Sequence, residues 1–490
     1  MRRLSLTLLA LVLLLSPVAS RQLTAIRVPD RGDLQAALNA AKPGDIILLA
    51  PGGHYSGNFV LPARPASEQA TITLRTDADA LPQDGTRITP DASGTVALIQ
   101  SQNSDPAMRT APGAHHWRVE NVEFGPTRTG TSAIIELGDS HQSREEIPHD
   151  LVFDRVYVHG DADAGQRRGI ALNSASTTIR NSYIADIKAA GADAQAIGGW
   201  NGPGPFVIEN NYLEASGENI MFGGADPSIA DLVPRDITIR RNHMARPVAW
   251  RDGHRWSVKN LLELKNAADV TIDGNLFETH WGGGQPGYAI VFTPRNQDGR
   301  APWSTVDHVR FTNNIVRHVA AGVNISGSDD RYPSGPGRNI TIANNLFEDV
   351  DGKAWGGPGD FVQVGHGAAD VTIEHNTVQH TGRMVSAYGK EPMPRFVFRA
   401  NVLRHNAYGV FGDNASPGTV TFERYLPGAV FEGNVIAGGD RARYPGGNQF
   451  IPADAFDALF EAAASGNFHL RAPGAGADLD RIDAASRAGS

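Results

Sequence analysis

The sequence predicts an all-β chain: a right-handed parallel β-helix, a solenoid, with an N-terminal capping helix. Three observations predict it. First, one octapeptide form recurs: Val270-Thr-Ile-Asp-Gly-Asn-Leu-Phe277 matches Ile237-Thr-Ile-Arg-Arg-Asn-His-Met244, Ile340-Thr-Ile-Ala-Asn-Asn-Leu-Phe347 and Val371-Thr-Ile-Glu-His-Asn-Thr-Val378. Second, the Asn of that form makes a ladder, Asn211, Asn242, Asn275, Asn314, Asn345, Asn376, Asn401 and Asn434. Its steps of about 25 to 39 residues are the range of a solenoid repeat. Third, a short strand-like segment sits between ladder positions, as in Asn260-Leu-Leu-Glu-Leu-Lys265, Ala289-Ile-Val-Phe-Thr293 and Phe361-Val-Gln-Val-Gly365. Two or three strands per repeat, with no helix-length segment between them, favour a coil that returns above itself. Stacked Asn suits such a turn, because its side chain tolerates left-handed backbone and bonds to its neighbours. Earlier copies place Val122, Val156 and Ser182 at the ladder position.

The chain opens on Met1-Arg-Arg, an apolar run from Leu4 to Leu15, and Val18-Ala-Ser20. A basic start, a short apolar core and small residues before a cut describe a secretory signal peptide, expected over 1–20. The mature chain, 21–490, is expected to be one domain, secreted or periplasmic, with no membrane attachment after cleavage, and a monomer. Cysteine is absent from all 490 residues, which excludes disulfides, Cys-ligated metal and a lipidated N-terminal Cys. The formal charge is −9, or −11 once Arg2 and Arg3 leave with the signal. An acidic chain of this kind is a poor nucleic-acid binder, since such binding rests on neutralising phosphates.

A helix is predicted over 34–41, with Asp33 as its N-cap and Leu34, Ala37, Leu38 and Ala41 on one face. Pro43-Gly44 ends it, the strand Asp45-Ile-Ile-Leu-Leu49 follows, and Pro51-Gly-Gly-His-Tyr55 comes next. This opening resembles the start of right-handed parallel β-helix proteins of the pectate-lyase-like superfamily, exported bacterial type, and the repeats resemble the same superfamily over nearly the whole mature chain. Residues 62–110 read as early coils with long loops, with a strand over 70–74, and 117–438 as regular coils. The tail, 439–490, reads as a closing segment, with helical spacing at Phe456, Leu459 and Phe460.

Six of the seven Trp lie between 200 and 355, where the loops are longest. Trp250, Trp256 and Trp281 can stack on sugar rings, or can instead anchor loops on the coil. Arg240, Arg241, Arg246, Arg251, Arg255, Lys259 and Lys265 face only Asp252 and Glu263, a local basic reversal. It suits an acidic polymer, or is a solvated face of scattered ion pairs. Strand alternation puts Leu137, Leu172, Ile197, Phe222, Leu264, Phe292, Ile325 and Val364 inward. It puts Glu136, Glu263, Asn324 and Gln363 in one outward column and Lys265 in the next.

The resemblance implies a site on such an outward face and action on a polysaccharide or oligosaccharide. For β-elimination on a uronate polymer, Lys265 is expected as base, with Arg295 and Asn324 neutralising the carboxylate and Glu263 beside them. Arg251 and the three Trp are expected to hold substrate. Asp226 and Glu263 are expected as Ca²⁺ ligands, or as the carboxylate pair of a glycoside hydrolase. A non-catalytic glycan-binding or surface structural protein is the remaining alternative.

Overall fold

The computed structural model describes residues 24–67, 69–79, 81–472 and 474–487; the expected signal peptide lies outside them. One coil shows how the chain is laid. Arg235–Arg240 forms a strand, a tight corner leads to His243–Ala245, and a loop leads to Leu262–Leu264. The next coil then begins at Ala267–Asp273. Each strand pairs in parallel with its counterpart one coil on, so the chain builds three parallel faces. The third face contains twelve strands in strict chain order. The first and second faces are joined where His115–Phe124 and His149–His159 run through the corner between them. No helix among the described residues is long and apolar enough to cross a membrane.

Parallel stacking puts like on like. In the first face Ile239, Ile272, Phe311, Ile342, Ile373 and Phe398 stand in register, all buried. In the third face Ile220, Leu262, Ile290, Val323 and Val362 do the same. The inward residues expected from alternation are buried. Ile197 pairs with Ile220, however, and Gly199 takes the place opposite Phe222, because a Cβ there would lie 2.2 Å from the Leu172 carbonyl oxygen.

The Asn ladder occupies the corner between the first and second faces. Asn275 donates its backbone N–H (2.9 Å) and its side-chain amide (3.0 Å) to Asn314 Oδ1. That amide also donates to the Ile239 carbonyl of the coil before (3.0 Å). The pattern runs unbroken from Asn211 to Asn434 and ends on Asn448, one rung beyond the sequence expectation. At the other end Ser182 substitutes: its N–H donates to Asn211 Oδ1, and its hydroxyl accepts from the Val156 N–H. The left-handed turn is made one residue earlier than expected. Asn210, Arg241, Gly274, Asn313, Asn344, His375, Ala400 and Gly433 have φ between 52° and 67°. The ladder Asn is therefore used for its amide, and the strained corner is made by the residue before it.

The helix Leu34–Ala40 is N-capped by Asp33, whose carboxylate accepts from the Ala36 N–H (2.9 Å), and buries Leu34, Ala37 and Leu38. Its Gln35 side chain makes a reciprocal pair with the backbone of Val60 (2.8 and 3.0 Å). Val60 belongs to the first strand of the third face, so Gln35 satisfies a strand edge that would otherwise be open. In the tail, the expected helical stretch around Phe456 is instead three single turns and a short strand. They lead into the hairpin Phe460–Ala462 with Asn467–Leu470. Phe456, Phe460, Phe468 and Ile482 pack onto Leu346 and Val402 of the second face, and local turns let both Phe456 and Phe460 reach it.

Replacing Asn345 with Leu should orphan the backbone N–H of Asn314 and the Phe311 carbonyl. A loss of about 1–3 kcal/mol per orphaned group is expected, read as a lower denaturation midpoint, with the same effect for Asn275→Leu. An unchanged midpoint in both variants would show that the ladder carries no stability.

Candidate functional site

The third face and its flanking loops carry a hollow of about 460 Å³, lined by Lys259, Glu263, Lys265, Arg295, Gln297 and Asn324 among others. Register explains the grouping. Met221, Glu263, Val291 and Asn324 lie opposite one another on four successive coils, so Glu263 and Asn324 share one outward column. Lys265 follows Glu263 by two residues and therefore shares its face. Its Nζ lies 3.4 Å from Glu263 Oε1. The backbone N–H of Arg295 donates to the Lys265 carbonyl (2.8 Å), which brings Arg295 into the same hollow. Arg295 Nη1 is held by Asp329 (2.9 Å) and by Asp330. Asn324 Oδ1 accepts from the Tyr388 hydroxyl at 3.4 Å.

Behind this surface lies a buried carboxylate that the sequence analysis did not single out. Glu218 is fully buried and accepts from Gln195 Nε2 at 3.0 Å. Lys259 Nζ stands 3.6 Å from Glu218 Oε1 and 2.6 Å from Asp193 Oδ2. Among the described residues, Glu218 Oε1 and Glu263 Oε2 have no hydrogen-bond partner. Burial, helped by the neighbouring Glu263 charge, pushes the Glu218 carboxyl up to about 8, against the pull of Lys259. Burial opposes the charge on Lys259, but the Glu218 and Asp193 carboxylates outweigh it and raise its pKa. Glu218 pairs with Gln195, whose amide it accepts, and its charged neighbours Lys259, Glu263 and Asp193 all line the hollow, so it faces out of the coil although Ile220 and Phe222 face in. No spacing in the sequence marks it.

Other expected site residues stand elsewhere. Asp226 lines a separate hollow with Trp200, Trp303 and Arg300. Its Oδ2 accepts from the backbone N–H groups of Asp298 (3.0 Å) and Arg300 (2.9 Å), so it pins the loop that carries Arg295. Trp250 and Trp281 are 8% and 4% exposed and pack with Val258 and Trp256 into a small apolar cluster. Lys188 Nζ lies over Trp250 at 4.6 Å and over Trp256 at 5.4 Å. Trp250 and Trp281 anchor the long loops instead of offering a platform to sugar, because a ring buried on its neighbours has no face left for a ligand; Trp256 is half-buried, with Arg255 over its ring at 4.2 Å. Arg251 stacks over Trp355 at 5.7 Å and does not line the hollow. The basic run disperses too. Arg240 pairs with Glu209 (2.8 Å), His243 with Glu278 (2.7 Å), and Arg246 is buried against the carbonyls of Ala215, Gly217 and Asn260. Of that run, Lys259 and Lys265 reach the hollow.

The raised Glu218 pKa carries a stability signature. The folded chain keeps this carboxyl protonated between about 4.5 and 8, where the unfolded chain has ionised it. The native state thus binds the extra proton, and this group makes stability fall as pH rises through that window. Glu218→Gln should flatten the fall between pH 5 and 8 and change little near pH 4, as followed by unfolding midpoints across pH. An identical pH profile in wild type and variant would show that Glu218 is ionised in the fold.

With the geometry in place, comparison with known proteins gives a consistent frame. The family model described as "right handed beta helix region" matches residues 168–378. No curated protein matches the chain. Among solved structures, the PL6 family alginate lyase AlyGC superposes with a TM-score of 0.58 at 14% identity, over 95% of this chain and 59% of that one. The chain thus spans somewhat under two thirds of the length of AlyGC. A mannuronic acid specific polysaccharide family 6 lyase from human gut microbiota gives 0.55 at 12% identity, over 89% of this chain and 92% of that one. The catalytic unit of a GH87 alpha-1,3-glucanase from Streptomyces thermodiastaticus gives 0.51 at 14% identity, over 90% and 72%. Stacked parallel faces, the family model and these superpositions agree on the architecture: the chain is a right-handed parallel β-helix.

Proposed function

We propose that this is an exported, glycan-active protein that cleaves an acidic, uronate-containing polysaccharide by β-elimination. The observation that carries the reading is the hollow on the third face, where Lys259, Lys265 and Arg295 meet the amides of Gln297 and Asn324. Cations and amides in that number suit a ligand with a carboxylate on each sugar. The scaffold is shared with proteins whose names record action on alginate and on a glucan. The opening Met1-Arg-Arg, the apolar run and Val18-Ala-Ser20 support export to the periplasm or beyond.

In this reading Lys265, a cation at rest beside Glu263, first gives up a proton and then, as the amine, takes the proton on the carbon next to the uronate carboxylate. The C–H electron pair becomes the new double bond, the bond to the leaving oxygen breaks, and that oxygen takes up a proton from water, whose hydroxide is neutralised by the proton that Lys265 gained. Arg295 and Asn324 bind the carboxylate and stabilise the charge that develops on it. Glu263, 3.4 Å from Lys265 Nζ, positions the base. A calcium ion fits the reading at Glu263, whose Oε2 is a buried oxygen without a hydrogen-bond partner among the described residues; Glu218, held protonated near neutral pH, would have to give up its proton to join it. Bound there it would supply positive charge beside the substrate carboxylate. Asp226 is committed to backbone amides and is not its ligand in this reading.

A second reading, glycoside hydrolysis, needs a carboxylate pair across the scissile bond, of which Glu263 is the member that lines the hollow. One assay separates the possibilities: a panel of uronate polymers and neutral glucans, followed by absorbance of the new double bond and by reducing ends. Unsaturated product is expected, with Lys265→Ala lowering turnover by about 10²–10⁴-fold at an unchanged unfolding midpoint. Reducing ends without unsaturation would replace elimination by hydrolysis, and binding without turnover would leave a glycan-binding module. Treatment with a chelator should lower the rate and Ca²⁺ restore it; an unaffected rate removes the ion from the reading.

A further inference from the structure

Two successive coils enter the first face with the dipeptides His115-His116 and His149-Asp150. Their strands pair in parallel with His149 opposite His115. The second residue of each pair is left-handed, His116 at φ 57° and Asp150 at φ 53°. The same backbone recurs at Ser176, Asp236, Asp269 and Asn339, so the turn belongs to the architecture. What differs here is the side chains, which form a two-by-two array of metal-ligand types. The His115 and His149 rings stack at 5.0 Å and 11°, and His116 meets His115 edge-on at 4.9 Å. His115 Nδ1 and His116 Nδ1 are 2.8 Å apart, His149 Nδ1 and Asp150 Oδ2 are 2.7 Å apart, and His116 Nδ1 lies 3.9 Å from Asp150 Oδ2. The ligand atoms of His116, His149 and Asp150 all fall within 4.8 Å of one another.

A second observation concerns how His115 is held. Its Nε2 lies 3.1 Å from the Arg64 carbonyl, an acceptor that requires the proton on that nitrogen. The lone pair is thereby left on Nδ1, which faces the cluster. A ring N–H tied to a backbone carbonyl is the posture of a metal-binding imidazole. We propose that His115, His116, His149 and Asp150 bind one divalent transition-metal ion of the zinc class, which staples two neighbouring coils together. Three imidazoles and one carboxylate favour Zn²⁺ over the oxygen-seeking Ca²⁺ or Mg²⁺. Bonds of about 2.0–2.1 Å in a tetrahedral site put ligand atoms about 3.3 Å apart, a value inside the spread found here. Four protein ligands close the coordination sphere, so the ion is structural.

The position explains why a staple is useful. These two coils carry Val122 and Val156 at the ladder corner, where later coils carry the hydrogen-bonded Asn. A metal ion would link the coils that the amide ladder does not reach. The inference is independent of what the hollow on the third face does.

The test uses the mature chain without a histidine tag, stripped of metal. Zn²⁺ titration should saturate at one ion per chain and raise the thermal unfolding midpoint, and Co²⁺ should give the strong visible absorbance of a tetrahedral site. His116→Ala and the more conservative His149→Gln should each lose the Co²⁺ spectrum and the midpoint shift. His141→Ala, at an exposed histidine outside the cluster, should keep both. No saturable binding by the wild-type chain overturns the proposal, whatever the variants do. Equal binding by folded His116→Ala and His149→Gln also overturns it, since the ion would then sit elsewhere.

Discussion

Register between coils is the constraint on which everything else rests, and the Asn ladder is its most exacting expression. Each ladder Asn is bonded to the coil behind it through its amide N–H and to the coil ahead through its neighbour's oxygen. A slip of one residue would break this chain of bonds and would also send every inward side chain to the surface. The apolar stacks beneath the corner, such as Ile239 on Ile272 on Phe311, enforce the same alignment through burial. Two unlike forces, directional amide bonding and non-directional apolar burial, therefore select one register. That agreement turns a column of residues distant in sequence into one surface.

The candidate site depends on this directly. Glu263 and Asn324 are 61 residues apart in the chain yet stand two coils apart on one column. The loops between strands do the rest. Asp226 holds the segment that follows Arg295, and the Trp250–Trp281–Val258 cluster fixes the long insertion that ends at Lys259. The Trp rings and Asp226 thus act on the hollow at one remove, by fixing the loops that bear its cations.

Much of this was legible in the sequence, for an identifiable reason. Period-two alternation and a recurring Asn survive without knowledge of the loops, so the faces, the inward residues and the Glu263–Asn324 column could be read from spacing. The left-handed corner residue was misplaced by one. That position is filled by Asn, Arg, Gly, His and Ala in different coils, so no residue type marks it. Trp250 and Trp281 were read as candidates for sugar contact because sequence shows a ring's presence but not which of its faces is covered. Glu218 was missed because only Phe222 of its strand was placed, and spacing does not show that the fold buries a carboxylate behind the outward column. The basic run between 240 and 265 is contiguous in sequence only; the coil distributes it, with Arg240 and Arg241 on Glu209 and Arg246 on backbone carbonyls.

The electrostatics of the hollow follow from that last point. Lys259 rests on Asp193 and Glu218, Lys265 on Glu263, and Arg295 on Asp329 and Asp330. Every cation therefore has an anionic neighbour before any ligand arrives, which keeps the site compatible with a net acidic chain. These pairs differ in how firmly they hold. Glu218 is sealed from solvent, while Asp193, 2.6 Å from Lys259 Nζ, is the nearer of the two acids that hold that lysine. Glu263 is tied to Lys265 through one oxygen and leaves the other without a hydrogen-bond partner among the described residues. An incoming carboxylate thus meets cations already held by acidic neighbours, some buried and some exposed, and need not order flexible side chains to be bound. On the proposed reading, these acidic neighbours are the reason the groove can recognise an acidic polymer at all: they set the cations in position without neutralising them completely.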